Sequence, residues 1–387
     1  MTIATRDNPR ILVGASIPRS GHHFLADMMA AYYGDDLYYC EYYTLPACCK
    51  SVPCTRRGGH RIIYQKSHDR DFALPADVAD ALYLIQYRQP VPEALSDREL
   101  ELQDRLGRPN LAYRQTRAGY MNWLAGKAIY YRNFHDKWIA RRLPNAIYLD
   151  YAELAADPRM FLKTIVENTT GAADDGRLDM VIEKTRAPRS NAPFKPRVVA
   201  DSPYFDKDLL SAFESWVLER CPQYNFASEL NGSYAASELY GLILLKDAKE
   251  PLPGGETKRF KAAAKLAPGH PEILRRLAGR AIKEGKVTQG IQRLEKVIAA
   301  HPYFPGAYKT LFAASKDSGT PVSETVLTGN ALVACSESPE LSIQLGDAFG
   351  AKGLWVNAIA AYALAMAVDP KSREAAERHA AAIKNSS

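Results

Sequence analysis

The chain has 387 residues, room for two or three domains and for a large core that needs no disulfides or metals. Its 47% hydrophobic and 24% charged residues exclude a mostly disordered, collagen-like or disulfide-dense chain, and no apolar run reaches the length of a membrane span. The net charge of +6, with a pI near 8.8, mildly favours anionic ligands; the charge is dispersed and no basic–aromatic motif supports nucleic-acid binding.

Charges and Pro9 stand where a signal peptide needs its apolar core. We therefore expect the chain to start as written and to stay in the cytoplasm. The run RILVGAS at Arg10–Ser16 reads as a buried parallel strand, and His22–Tyr33 as the helix after it. Further short strands are expected at 61–65, 81–87 and 145–149, with a helical stretch over 110–142 between the last two. Short apolar strands alternating with amphipathic helices give an α/β domain with a parallel sheet. We place that domain at 1–230 and a helical domain at 237–387, joined where Pro222, Asn231, Gly232 and Ser233 interrupt the periodicity.

The last third repeats. Segments starting at Ser237, Pro271, Pro305 and Pro339 stand 34 residues apart. The fourth copy carries Gly346, Phe349, Ala358, Tyr362, Ala365 and Pro370; the second carries Ala278, Gly290, Leu294 and Pro302. The first is degenerate, and the third loses the pattern after Lys316. Small residues would let paired helices approach, large apolar ones would fill the seam, and Pro would stop the second helix. The period resembles the tetratricopeptide repeat. Such hairpins must stack to bury their faces, and they could dock a protein partner or a second copy.

Three segments carry the chemistry. After the first strand, Pro18, Arg19, Ser20 and Gly21 turn into a helix beginning His22-His23-Phe24, a geometry that offers backbone N–H groups and a positive helix end to an anion. It is no Walker A loop, which argues against a nucleotide triphosphatase or a small-molecule kinase. The second segment ends in Lys66-Ser67-His68, with a cation and a base at one strand end. In the third, a strand ends in Arg88 and Ser96 follows eight residues on, so that both could reach one phosphate. Alone, the first is explained about as well by a structural strand-to-helix turn, and the second is better explained by an exposed Lys and a structural His.

Together, in this order, they resemble the sulfotransferases that use 3′-phosphoadenosine 5′-phosphosulfate (PAPS) as co-substrate. The resemblance covers about 10–220. It implies that the 5′-phosphosulfate sits on Pro18, Arg19, Ser20, Gly21, His22, His23 and Phe24, and the 3′-phosphate on Arg88 and Ser96. His68 would be the general base, with Lys66 and Arg19 stabilising charge on the transferring group. The Tyr148–Leu154 stretch with Tyr151 matches the Tyr-Glu-Asp-Leu strand end, and Lys195 and Arg197 match a loop that closes on the 3′-phosphate. The sequence departs from the family in having His22 and His23 for two Thr, Arg19 for Lys and Phe24 for Trp. The resemblance implies a carbohydrate or other hydroxyl-bearing acceptor and no metal. Adjacent His residues on a helix point about 100° apart, so we expect them not to share an ion. The rival reading is a non-catalytic nucleotide-sensing scaffold whose repeats bind a protein.

The segment 35–60 holds Cys40, Cys48, Cys49 and Cys54, four of the six cysteines. Their spacing fits reduced or redox-variable thiols, one or two disulfides, or a metal set completed by His60. Tyr38, Tyr39, Tyr42 and Tyr43 with Arg56 and Arg57 would border an acceptor site, or merely pack on an irregular surface excursion. Tyr120, Trp123, Tyr130 and His135 could form the opposite wall or a core stripe.

Overall fold

A computed structural model describes residues 9–42, 48–56, 58–104, 111–186, 198–250 and 255–386. Strands β1 (Arg10–Ser16), β2 (Leu37–Glu41), β3 (Ile62–Ser67), β4 (Leu82–Tyr87) and β5 (Ala146–Asp150) form one sheet in the order β2-β3-β1-β4-β5. Every pairing is parallel. In chain order, α1 (His22–Tyr33) follows β1 and α2 (Pro90–Asp104) follows β4. Next come α3 (Leu111–Gln115) and α4 (Arg117–Phe134), the latter running into a π-turn at His135–Ile139. After β5 come α5 (Tyr151–Ala156), α6 (Pro158–Thr170), α7 (Asp175–Arg186) and α8 (Lys207–Arg220).

The chain divides into two compact units, Met1–Leu100 with Gly126–Tyr234 and Glu101–Ala125 with Ala235–Ser387. The sequence reading divides it once, between 230 and 237; the compact units also assign 101–125 to the helical body.

The sheet explains its own sequence. Leu12 of β1 meets Tyr64, Leu84 and Leu25 in one core, while Val13 and Ala15 point the other way and are equally buried. A strand covered on both faces must be apolar throughout, which is why RILVGAS lacks alternation. Gly14 is required because a Cβ there would stand 2.7 Å from the ring of buried Tyr64. On the outer helices, Asp157 caps α6 by accepting from the Met160 N–H, and Gly171 ends it in the left-handed conformation. Phe161, Leu162, Ile165 and Val166 form its buried face.

Strand β2 corrects the reading of 35–60 as an irregular excursion. LYYCE lacks alternation and has only one fully buried residue, so nothing in its pattern marks a strand. Its order comes from β3, which it pairs in register from Leu37↔Ile62 to Glu41↔Lys66.

The second unit contains α3 and α9 (Glu238–Lys246), α10 (Gly255–Leu266), α11 (Pro271–Lys283), α12 (Val287–Ala300) and α13 (Pro305–Ser318), and continues with α14 (Gly329–Cys335), α15 (Pro339–Gly350), α16 (Trp355–Val368) and α17 (Arg373–Ser386). The 34-residue marks fall on helix starts: Ser237 caps α9, and Pro271, Pro305 and Pro339 open α11, α13 and α15. Ser and Pro suit those positions because one accepts an orphan N–H and the other lacks one. The third copy, where the pattern fails, has a shortened second helix, α14, after a 3₁₀ turn. The fold is thus an α/β domain with a parallel sheet, together with a helical-repeat region.

The seams need small residues. A Cβ at Gly290 of α12 would stand 2.3 Å from Ile282 Cγ1 and 2.9 Å from the backbone oxygen of Ala278 on α11. Gly290→Ala is expected to destabilise the helical unit. Overpacking costs about 1–3 kcal/mol, which outweighs the roughly 1 kcal/mol of helix propensity that Ala gains. A lower thermal midpoint for the helical unit would show it; an unchanged or higher one would mean that α12 simply slides away.

Candidate functional site

In an open parallel sheet, ligands bind beyond the carboxyl ends of the strands where the connections change direction. Here the chain leaves β1 towards β2 and later crosses β1 to reach β4, so the reversal lies beside β1. All three chemistry-bearing segments leave the sheet at that end, from β1, β3 and β4.

The turn after β1 is built from unusual backbone. Arg19 and Gly21 have φ of 60° and 84°. Buried Ser20 donates its hydroxyl to the Ile17 carbonyl at 2.6 Å, closing the turn. Gly21 caps α1 without a side-chain acceptor, so the first N–H groups of α1 have no side-chain cap. The Tyr151 ring would lie 3.0 Å from a Cβ at Gly21, so Gly serves both the conformation and the close approach.

Arg19, Arg88, Ser96 and Tyr151 come together. Arg19 Nε donates to Ser96 Oγ at 2.9 Å, and Arg88 donates to the Arg19 carbonyl at 3.0 Å. The Arg88 guanidinium lies 4.3 Å above the Tyr151 ring. Ser96 owes its place to α2, which Lys127 clips through Glu93 at 2.6 Å and Asp97 at 2.5 Å. Burial pushes the Glu93 carboxyl up to about 7, opposed by Lys127.

On the other side of β1, Lys66 and His68 meet. Strand β3 ends at Ser67, so His68 lies just beyond the strand rather than within its alternation. Its Nδ1 is 2.8 Å from the Ser16 carbonyl and 3.1 Å from Ser16 Oγ. A carbonyl only accepts, so Nδ1 carries the proton and Nε2 keeps its lone pair. That lone pair faces Lys66 Nζ at 3.0 Å. Burial, then the Lys66 charge, lowers His68 to about 3, partly offset by the Ser16 carbonyl. Burial also lowers Lys66 to about 8, and Glu41 pulls it back. The ring is therefore neutral near pH 7, and bound negative charge would raise its basicity.

His22 lies edge-on to His68 at 4.7 Å and is held far below the ordinary histidine range, first by burial and then by Lys66, His68, His23 and Arg19. The expected divergence of His22 and His23 is not observed. Their rings lie 4.0 Å apart, and together with Glu41 they place donor atoms within 4.8 Å of one another, close enough to share a cation. Half-buried Phe24 packs against the sheet core. Pro18 lies within the turn, and Lys195 and Arg197 lie outside the described residues.

Ser16 and Asp69 escape sequence reasoning, and Tyr130, named there only as wall or core, gains a defined contact. Ser16 sets the His68 tautomer from the last position of a strand that otherwise reads as core. Tyr130 donates to the His68 carbonyl at 2.6 Å, so it is neither simple core nor open wall. Asp69, fully buried, accepts from Lys137 Nζ at 2.7 Å, Trp138 Nε1 at 2.8 Å and the Leu74 N–H at 2.7 Å. It ties the loop after His68 to the π-turn, and only its position beside His68 in the sequence could have flagged it.

In the segment 35–60, Cys40, Cys48, Cys49 and Cys54 form no disulfide. His60 Nδ1 contacts the Asp35 carbonyl at 2.8 Å. Tyr43 and Arg57 lie outside the described residues. Among the described residues, no helix is long and apolar enough to cross a membrane.

The edge therefore presents clustered cations, an uncapped helix start and two neutral histidines, His22 and His68, with the His68 Nε2 lone pair turned to Lys66 Nζ. Such a set can hold a polyanion and accept a proton beside it. No protein-family profile matches this chain, and no curated protein matches it. Among solved structures, the mouse sulfotransferase SULT7A1 complexed with PAP is similar, with 18% identity and a TM-score of 0.42 over 56% of this chain and 85% of that one.

Proposed function

We propose that the chain is a PAPS-dependent sulfotransferase acting on a hydroxyl-bearing acceptor, with a carbohydrate as the favoured class. The observation that supports this most is the convergence of three separate motifs, 18–24, 66–68 and 88/96, on one end of one sheet. The co-substrate would supply an activated sulfuryl group. The α1 N–H groups, Arg19 and Lys66 would hold its phosphosulfate, and Arg88 with Ser96 its 3′-phosphate. His68 Nε2 takes the acceptor hydroxyl proton as the oxygen attacks sulfur. Bound anion raises the basicity of the ring at the moment it is needed. The Nδ1–H bond to Ser16 fixes the ring, and Lys66 balances charge on the transferring group. The transfer releases adenosine 3′,5′-bisphosphate.

Incubation with PAPS and a panel of hydroxyl acceptors should release the bisphosphate in step with acceptor sulfation. ATP in place of PAPS should give no phosphorylated product. A phosphorylated acceptor would replace this reading with a kinase.

Lys66 gives a pH prediction. It is cationic below about 8 and neutral above, in the unliganded chain. Affinity for the anionic nucleotide should therefore fall as pH rises through about 8. In Lys66→Arg, which stays charged, that limb should disappear from the dissociation constants. A limb unchanged in Lys66→Arg would assign the titration to another group.

A further inference from the structure

A second reactive cluster lies in the segment after β2, apart from the basic edge. Cys49 Sγ is 3.5 Å from Cys54 Sγ. The two sulfurs differ in setting: Cys54 is 2% exposed, while Cys49 is only partly buried. A backbone hydrogen bond from Thr55 holds the Cys49 thiol down to about 6, aided by Ser51 and the Thr55 side chain. Cys40 is the opposite case, pushed up to about 12 by burial and its neighbouring thiols.

Cys54 is also fixed in place. Its N–H donates to Gln65 Oε1 at 2.7 Å, and Gln65 Nε2 donates to the Ser51 carbonyl at 2.8 Å. The Cys54 thiol donates to Tyr38 Oη at 3.6 Å. Among the described residues, no three of these sulfurs lie close enough together to share a metal ion. What remains is an accessible, readily ionised sulfur against a buried sulfur anchored to the sheet. That is the arrangement of an attacking and a resolving thiol.

We propose that Cys49 and Cys54 form a reversible dithiol–disulfide couple, oxidised by a low-molecular-weight disulfide. The Cys49 thiolate attacks the oxidant, forming a mixed disulfide and expelling one thiolate. The Cys54 sulfur then attacks Cys49 Sγ, expels the second thiolate and passes its proton to it. Two electrons leave the protein, one sulfur–sulfur bond forms, and one oxidant disulfide becomes two thiols. The couple does not depend on the sulfotransferase reading, because neither sulfur belongs to the basic edge.

The test treats the full chain with oxidised glutathione, blocks remaining thiols by alkylation and digests with trypsin. Cleavage after Lys50 places Cys49 and Cys54 on different peptides, so closure appears as a joined pair. The pair should form in the wild type and in Cys48→Ser, be absent in Cys49→Ser and Cys54→Ser, and separate with dithiothreitol. A wild-type chain that yields no joined pair, or only a glutathione adduct on Cys49, overturns the proposal. So does a joined pair that persists in Cys49→Ser, which would assign the bond to Cys40 or Cys48. The wild-type measurement needs no variant to fold and no nucleotide to bind.

Discussion

His68→Ala is expected to slow sulfuryl transfer by about 10²–10⁴-fold, the usual contribution of a positioned general base. Nucleotide affinity should survive, because the ring's hydrogen bonds go to Ser16 and Lys66 and leave Arg19, Arg88 and Ser96 intact. Lys66→Ala should differ by losing affinity as well as rate. Single-turnover rates beside dissociation constants separate the two. Transfer by His68→Ala at the wild-type rate would remove the ring from the chemistry and leave it a structural partner of Ser16.

Asp69→Ala should strongly destabilise the α/β unit. The carboxylate is fully buried and takes three hydrogen bonds, from Lys137, Trp138 and the Leu74 N–H. Removing one partner of a buried ion pair typically costs about 3–5 kcal/mol. Asp69 has φ of 46°, so Asn tolerates the backbone better than Ala does. Asp69→Asn keeps acceptor capacity but loses the charge, and should fall between wild type and Ala. Thermal unfolding reads the loss directly. The rate should fall too, because the loop after His68 loses its anchor. A stable Asp69→Ala chain with full activity would show that the Phe72 and Leu74 carbonyls hold Lys137 well enough alone.

Most of the fold was legible because its signals are local. β1 and α1 have the predicted bounds, since Pro9 and the Gly21 turn mark their limits. The repeat starts were legible because Pro and Ser recur at helix openings. β2 was not, since its order comes from pairing with β3 rather than from its own pattern. The same division runs through the site. Lys66, His68 and Arg88 stand out as charged or polar residues at strand ends, and Ser96 by its eight-residue spacing from Arg88. Their partners Ser16 and Asp69 do not, because a hydroxyl and a buried carboxylate acquire their roles only when distant segments meet; Tyr130 was legible as wall or core, but not its bond to the His68 carbonyl. The contact of the His22 and His23 rings was lost for a related reason: spacing along an ideal helix says little about the first turn, where side-chain rotation brings the rings to 4.0 Å.

The central claim is an anion site that reads a nucleotide carrying both 3′- and 5′-phosphates. Calorimetric titration of the wild type and Arg88→Ala with adenosine 3′,5′-bisphosphate, AMP and ATP tests it most directly. The bisphosphate should bind the wild type more tightly than AMP, and ATP should bind weakly. Losing one charge-assisted hydrogen-bond partner costs about 1.5–3 kcal/mol, so Arg88→Ala should weaken the bisphosphate by roughly 10–100-fold and leave AMP unchanged. Tighter binding of ATP than of the bisphosphate, or no nucleotide binding at all, would contradict the assignment.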